Sequence, residues 1–217
     1  MVSYYVGVDL GQRKDYTAIA VVERTEPELI RFDYVAWLHR RTKLEATFTV
    51  RRLERVAVGT SYPAIVSRVR ELVRSLEFRG RCTLVVDGTG VGRPVVDLLR
   101  EPDIDCELAP ILITGGAHVR KEAGMWNVPK RDLIAEVQML LEQRRLTISG
   151  QLPRAKTLID ELMAMRMRLS AEGREQYGVW REGSHDDLAL AVAMACWRAK
   201  GEEVPVGEQG TGRVLSM

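Results

Sequence analysis

Residues 4–23 of the chain are YYVGVDLGQRKDYTAIAVVE, two apolar runs separated by a short polar segment. The runs, 4–10 and 16–23, are rich in Val, Ile and Tyr, which favour β-strands, while the QRKD between them favours a turn. We therefore expect a hairpin. A third strand over 30–38 (IRFDYVAWL) would complete an early meander of three strands.

Strands and helices are expected to alternate along the rest of the chain. Apolar runs predict buried strands at 82–87 and 106–113. Pro110, which lacks an amide hydrogen, either weakens the second prediction or places that strand at a sheet edge. Apolar residues at helical spacing predict helices over 63–77, 94–100, 133–141, 158–169 and 188–197. Elsewhere we expect an irregular basic stretch over 39–60, a loop or small hairpin over 114–128 and a strand over 176–181. This order favours a mixed sheet with helices on its faces.

The composition indicates one globular domain. Of the 217 residues 46% are apolar, enough for one large core. We expect residues 1–200 to form that domain and 201–217, rich in Gly and Glu, to be a disordered tail. No apolar run approaches the ~20 residues that a membrane span needs, and the first residues lack the features of a signal peptide. We therefore expect a cytoplasmic location without membrane contact, where the three scattered cysteines stay reduced.

Acidic residues lie at the ends of three predicted core elements. Asp9 ends the first strand, Asp87 ends the strand at 82–87, and Asp186 with Asp187 opens the last helix. Acids brought together from such distant parts of the chain would repel one another unless a cation neutralised them. Oxygen ligands suit Mg²⁺ and Mn²⁺, and a pair of such ions can clamp both sides of a scissile phosphodiester. The pattern therefore predicts a two-metal site for phosphodiester hydrolysis.

Each acid also has a purely structural explanation. Asp9 and Asp87 each precede glycines and fit turns, and Asp187 fits a capping box with Ser184. The glycine cluster at 88–92 (GTGVG) matches neither the GxGxxG dinucleotide motif nor a Walker loop. We interpret it as a tight turn that allows close approach to Asp87. Turns alone do not account for the three acids in this order.

Four stretches together resemble the nuclease domain of phage large terminases, within the ribonuclease-H-like superfamily. In chain order they are GVDLGQRKDYTAIAVVE, VVDGTGVGRPVVDLL, NVPKRDLIAEVQMLLEQRRLTI and HDDLALAVAMACWRA. The resemblance runs from about residue 4 to 199. It implies an α/β fold of the ribonuclease-H-like type, with a central five-stranded mixed sheet flanked by helices. It also implies an endonuclease that cuts concatemeric double-stranded viral DNA during genome packaging.

The resemblance carries site residues with it. It implies Asp9, Asp87 and Asp186 as ligands of Mg²⁺ or Mn²⁺, with Asp187 as a rival or partner for the third position. Neighbours on a helix point ~100° apart, so the sequence leaves Asp186 and Asp187 open. Asp15 and His185 are candidates for an outer shell of this site.

Basic residues are the candidates for holding DNA, because backbone phosphates supply most sequence-independent affinity. They are Arg120, Lys121, Lys130 and Arg131, with a second cluster at Arg40, Arg41, Arg51, Arg52 and Arg55. The resemblance implies a terminase ATPase motor, a small terminase and a portal as partners. The sequence has no Walker A loop, so we expect an excised domain or a separately encoded nuclease.

Three other functions are compatible with these patterns. A junction resolvase of the same superfamily uses a similar acidic set. An actin-like or sugar-kinase ATPase grips phosphate with Asp-x-Gly after a first strand, although this chain is too short for both lobes of that fold. The third is a catalytically silent DNA-binding packaging module whose acids only cap helices and turns.

Overall fold

A computed structural model describes residues 1–11, 15–27, 45–75, 81–90, 92–100, 104, 106–169, 175–178 and 185–201, with the side chains of 167–169 and 175–178 left aside. The strand predicted at 30–38 and nearly all of the predicted tail lie outside these ranges, as does Ser184. Among the helices described, none has both the length and the apolar character needed to cross a membrane. Cys82, Cys106 and Cys196 are free thiols.

The predicted hairpin is confirmed. Strand β1 (Val2–Asp9) pairs antiparallel with β2 (Thr17–Thr25), so that Asp9 lies opposite Ala18. The other strands are β3 (Thr47–Val56), β4 (Cys82–Asp87), β5 (Glu107–Thr114), β6 (Arg120–Glu122), β7 (Met125–Pro129), β8 (Leu146–Ile148), β9 (Arg166–Leu169) and β10 (Glu175–Gly178). The helices are α1 (Tyr62–Val73), α2 (Gly92–Leu99), α3 (Lys130–Glu142), α4 (Ala155–Ala164) and α5 (Asp187–Gly201).

One mixed sheet organises the described chain. Its strand order is β6-β7-β5-β4-β1-β2-β3-β8, and β9 pairs with β10 in a separate ribbon. The predicted α/β class, with one mixed sheet flanked by helices, is confirmed, but the expected five strands are eight. The run β3-β2-β1-β4-β5 is extended by β7 and β6 at one edge and by β8 at the other. Because β6 and β8 have only three residues each, neither shows a strand pattern long enough to be predicted.

The prediction of an irregular segment over 39–60 was wrong, because β3 occupies Thr47–Val56 and pairs along the whole of β2. Phe48, Val50 and Leu53 are its buried apolar residues. Their alternation is broken by the adjacent Arg51 and Arg52, where the register with β2 shifts between Val21 and Val22. A bulge of this kind inserts an extra residue and hides the period of two from the sequence.

Pro110 neither removes the predicted strand nor places it at an edge, so the edge alternative was wrong. Strand β5 lies inside the sheet, between β4 and β7. Ile111 directs its carbonyl at the Gly88 amide on the β4 side, so Pro110 faces the β7 side. Pairing with β7 begins only at Ile111. The missing amide hydrogen of Pro110 therefore costs no ladder bond.

The helix expected over 158–169 is shorter than predicted. Helix α4 ends at Ala164, where Met165 adopts an extended conformation (φ −64°, ψ 130°). The chain then enters β9, which pairs antiparallel with β10. The apolar spacing continues past Ala164 because Met165 still reaches the core, so periodicity alone does not mark the end of the helix.

Two cores lie on opposite faces of the sheet. On one face α1 and α2 cover residues such as Val6, Val8 and Leu84. On the other, α3, α4 and α5 cover Tyr5, Val85 and their neighbours. Helix α5 is buried on most sides, as predicted from its apolar run. The loop or small hairpin expected at 114–128 contains the β6-β7 hairpin.

Candidate active site

The sheet brings the predicted acids to one edge. Strands β1 and β4 are parallel neighbours, with Val8 opposite Val86, so the next residues, Asp9 and Asp87, end them side by side. Successive side chains in a strand alternate between faces. Asp9 and Asp87 therefore point to the face that α5 covers. Residues 186 and 187 stand at the start of that helix.

The pKa of Asp9 reflects the closeness of the other acids. Burial is the largest cause of a pKa for Asp9 that lies well above its usual value. The next causes, in decreasing order, are the charges of Asp87, Asp186 and Asp187. Lys130 opposes the shift. Like charges raise a carboxyl pKa only over short distances, so the four predicted acids share one electrostatic environment.

Asp87 is held by the turn that follows β4. Its Oδ1 accepts hydrogen bonds from the Thr89 amide (2.8 Å) and hydroxyl (2.6 Å). Burial raises the pKa of Asp87, while the bonds from Thr89 lower it. A Cβ on Gly92 would lie 2.2 Å from the carbonyl oxygen of Asp87, so no larger residue fits there. The glycines that follow Asp87 form the predicted tight turn, which passes close to Asp87.

Asp186 pairs with a lysine from another helix. The Nζ of Lys130, the first residue of α3, lies 2.7 Å from Asp186 Oδ2, and both side chains are about one-quarter exposed. Its position at the start of a helix predicts Lys130 as a DNA contact. The structure places its ammonium beside Asp186 within the acidic cluster, and its contact with DNA stays a prediction.

Asp187 is buried and bound by an arginine from β3. Arg55 donates from Nε to Asp187 Oδ1 (2.9 Å) and from Nη2 to Glu161 Oε1 (2.5 Å). Glu161 Oε2 accepts from the Ala189 amide (2.8 Å). Burial is the main cause that raises the pKa of Glu161 to about 8, against the Ala189 bond. Glu161 is not among the residues predicted from the sequence, where its only signal is a polar residue on an apolar helix.

The two outer-shell candidates lie near each other. His185 Nδ1 is 3.9 Å from Asp15 Oδ1, and the His185 ring meets Tyr16 edge to face with centroids 5.5 Å apart. Tyr16 in turn lies under the guanidinium of Arg55, at 4.9 Å. His185 and Asp15 thus border the network around Arg55.

The other basic candidates lie on the surface of the β6-β7 hairpin and α3. Arg120 and Lys121 are exposed on β6, and Lys121 Nζ sits 4.9 Å over the Trp126 ring. Arg131 donates to the Ala117 carbonyl at 2.9 Å. Trp126 packs edge to face on Trp197, at the border of the core. In the second basic cluster, Arg51, Arg52 and Arg55 each pair with acids, and Arg40 and Arg41 lie outside the described residues.

The donor set suits a hard divalent cation, because it consists of carboxylate oxygens. In the described ranges, no three His, Cys, Asp or Glu residues stand close enough together to hold an ion. Lys130 and Arg55 occupy oxygens of Asp186 and Asp187 instead. One oxygen, Asp187 Oδ2, is buried and has no hydrogen-bond partner in the described part of the chain. A cation would satisfy that oxygen and relieve the repulsion around Asp9.

Comparison with known proteins identifies relatives that match nearly the whole of this chain. No protein-family model matches it. The large terminase subunits of Thermus phage G20c and Thermus virus P23-45 are each 24% identical to it over 200 residues, 92% of this chain. The match covers 32% of each relative, so the chain spans about a third of their length.

Solved structures share the architecture. The large terminase nuclease of thermophilic phage G20c with bound magnesium superposes with a TM-score of 0.60 at 23% identity, covering 91% of this chain and 82% of that one. This chain has the fold of a large-terminase nuclease domain. The nuclease domain of the large terminase subunit of bacterial virus Sf6, with manganese, superposes with a TM-score of 0.57 at 13% identity, covering 90% and 87%. The terminase-nuclease resemblance found in the four sequence motifs is thus confirmed.

Proposed function

We propose that this chain is a divalent-metal-dependent endonuclease domain that hydrolyses phosphodiester bonds of double-stranded DNA during viral genome packaging. One observation carries the proposal: four aspartates from distant parts of the chain share one electrostatic environment at the end of β1 and β4, on the fold of the terminase nucleases. No purely structural role requires four buried or half-buried like charges together.

The acids are the proposed ligands of two Mg²⁺ or Mn²⁺ ions. Asp9, Asp87 and Asp186 are the predicted ligands. Because Asp187 Oδ2 is buried without a hydrogen-bond partner in the described residues, Asp187 is an equally good candidate for the third ligand. When bound, such ions neutralise the phosphate charge and activate a water for in-line attack. The magnesium and cobalt in the G20c nuclease and the manganese in the Sf6 domain support this choice of metal.

The chain's own residues set the charge balance of the site. Lys130 places a cation 2.7 Å from Asp186, which partly offsets the four carboxylates before substrate arrives. Its ammonium is a compact point charge on a flexible stem. We assign it to hold Asp186 and, in the complex with DNA, to contact the scissile phosphate.

The exposed cations are proposed to bind the DNA backbone. Arg120 and Lys121 on β6, together with Arg131, lie on the hairpin and the helix that lead to Lys130. Contacts of this type add affinity without reading sequence. The relatives are large terminase subunits, so we propose a terminase ATPase motor, a small terminase and a portal as partners, in the cytoplasm of a phage host.

A plasmid-nicking assay tests the proposed function. Wild-type protein with Mg²⁺ or Mn²⁺ should convert supercoiled plasmid to nicked and linear forms, and EDTA should stop it. Asp9→Asn and Asp87→Asn should each lose at least about 100-fold in rate, because each removes a metal-binding charge without changing side-chain size. Asp97→Asn, an exposed change on α2, is the matched control and should cut normally.

Two results would contradict the proposal. Cutting at wild-type rates by Asp9→Asn would show that the aspartates are not the reacting site. Cutting of four-way junctions with no action on linear duplex would indicate a junction resolvase of the same superfamily instead.

A further inference from the structure

Arg55 reaches the acidic site from two strands away. Asp9 on β1 lies opposite Ala18 on β2, and Ala18 lies opposite Arg55 on β3. Residues directly opposite one another across antiparallel strands point to the same face of a sheet. The Arg55 side chain is only 11% exposed, so the sheet holds a largely buried guanidinium on the same face as Asp9.

That guanidinium joins two helices. Arg55 binds Asp187 at the start of α5 and Glu161 near the end of α4. Glu161 also accepts the Ala189 amide hydrogen, one of the free donors of the first turn of α5. Tyr16 lies 4.9 Å beneath the guanidinium. Both carboxylates are thereby fixed relative to the helix that carries Asp186 and Asp187.

The arrangement leaves one oxygen of Asp187 available. Asp187 Oδ1 accepts from Arg55 Nε and from the Leu188 amide, at 2.9 and 2.7 Å. Oδ2 is buried and has no hydrogen-bond partner in the part of the chain described. The bonds to Oδ1 set the rotation of the carboxylate, so they also set where Oδ2 points. Partners that orient a metal-binding carboxylate govern the affinity of the metal.

We propose that Arg55 and Glu161 are positioning residues of the nuclease. They orient Asp187 and the first turn of α5 so that Asp187 Oδ2 faces the cation. Neither residue touches metal or DNA in this assignment. The inference depends on the proposed function. It adds that metal affinity is controlled from β3 and α4, outside the aspartate set.

The test measures binding of Mn²⁺ alone to the full chain, by electron paramagnetic resonance of the free ion, with nicking of plasmid as a second readout. Glu161→Gln keeps the shape of the side chain but has one acceptor oxygen instead of two, so it cannot accept from both Arg55 and the Ala189 amide. Arg55→Lys keeps the charge but cannot bridge two carboxylates with a planar fork. Each should weaken Mn²⁺ binding about 10- to 100-fold, the usual effect of removing an orienting partner. The KM for DNA should not change, and excess Mn²⁺ should restore part of the rate.

Glu54→Gln is the matched control, because Glu54 is the next residue on β3 and pairs with Arg68 on the opposite face of the sheet. It should bind Mn²⁺ and cut DNA as wild type does at a temperature where all variants are folded. Melting curves identify any variant that is unfolded at that temperature, and the other variant then decides. A merely structural role would lower the melting temperature and leave the Mn²⁺ affinity unchanged.

The outcomes separate the two proposals. A wild-type chain that neither binds Mn²⁺ nor nicks DNA would overturn the proposed function and this inference with it. Wild-type nicking, together with Mn²⁺ affinities within about twofold of wild type in folded Glu161→Gln and Arg55→Lys, would overturn the positioning role alone.

Discussion

The Asp9 carboxyl is placed where its charge works against folding. Burial and three neighbouring aspartates all disfavour its ionised form, and Lys130 only partly compensates. Like charges gathered in a partly desolvated site cost stability unless a cation is present. We therefore expect this cluster to lower the stability of the metal-free protein and the proposed cation to restore it.

Asp9→Asn should stabilise the metal-free protein even though it removes activity. An uncharged side chain of the same size relieves the repulsion, and we expect the melting temperature in EDTA at neutral pH to rise by about 2–4 °C, the shift for about 1 kcal/mol in a chain of this size. Differential scanning fluorimetry measures it. Asp97→Asn, which removes an exposed charge, should leave the melting temperature nearly unchanged; a lower melting temperature for Asp9→Asn would show that Asp9 is structurally stabilising.

At the scale of elements, the site depends on how closely α5 approaches β1. A Cβ on Gly7 would lie 1.9 Å from the Ala191 carbonyl oxygen, and no side chain can be accommodated at that distance. Ala191 is one helical turn from Asp187, and Gly7 is two residues from Asp9. The absence of a side chain at residue 7 therefore allows the helix and the strand to bring their acids together.

Gly7→Ala should both destabilise the fold and weaken the site. We expect a loss of at least about 1–3 kcal/mol in the free energy of unfolding, the usual cost of overpacking a core, measured by urea denaturation. Any folded fraction should bind Mn²⁺ more weakly because α5 is displaced. Gly150→Ala is the control, since its Cβ would meet nothing within 4 Å; equal stability of the two variants would refute the close-packing argument.

Strand β3 carries another ion pair, on the face away from the acids. Arg68 binds both oxygens of Glu54, at 2.9 and 3.0 Å. This bidentate contact is the largest cause that lowers the pKa of Glu54 below its usual 4.5. A carboxylate whose folded-state pKa is depressed adds stability above its unfolded pKa and loses it as the pH falls through the folded value.

Glu54→Gln should accordingly cost stability at neutral pH and cost little in acid. We expect a loss of about 0.5–1 kcal/mol at about pH 7, because the pair is partly exposed and screened. The difference from wild type should shrink as the pH falls below 4.5. Urea titrations at a series of pH values measure it, and Glu71→Gln, whose side chain is 72% exposed, serves as control. A difference that stays constant down to about pH 3 would contradict the ion-pair explanation.

At the scale of the molecule, the four aspartates and the cations proposed to bind DNA lie at different places on the sheet. The acids converge at the end of β1 and β4, whereas Arg120 and Lys121 lie on the hairpin at one edge of the eight-stranded sheet. A DNA duplex that lies across both places would contact the cations of the hairpin with its backbone. Its scissile bond would then lie at the four aspartates. The net charge of +2 conceals this division.

Arg120→Ala combined with Lys121→Ala should weaken DNA binding without affecting the chemical step. Removing one phosphate contact reduces the slope of log K against log salt by about 0.9, so the double variant should lower it by about 2. Fluorescence anisotropy with a duplex in Ca²⁺ or EDTA measures the slope. Lys156→Ala, on α4, should leave it unchanged, and an unchanged slope in the double variant would remove the hairpin from the DNA-binding surface.

Most elements were predictable because their signals are local. The β1-β2 hairpin, α1, β4 and α5 follow from runs and periods of apolar residues. Asp9, Asp87 and the pair at 186–187 stood out because they interrupt those runs at their ends. The strand β3 was missed because a bulge disturbed its alternation, and the position of Pro110 was misjudged because the extent of β7 pairing is not local.

The amino-acid sequence by itself determined the fold class, the order of the main elements and the acids that could form a site, since each depends on residues close together in the chain. Only the tertiary structure decided that Lys130 joins the acids, that Arg55 and Glu161 bind Asp187, and that Gly7 admits α5. These contacts join residues 56 to 184 positions apart in the chain. Strand pairing and helix packing create such contacts, and no local pattern encodes which side chains they bring together.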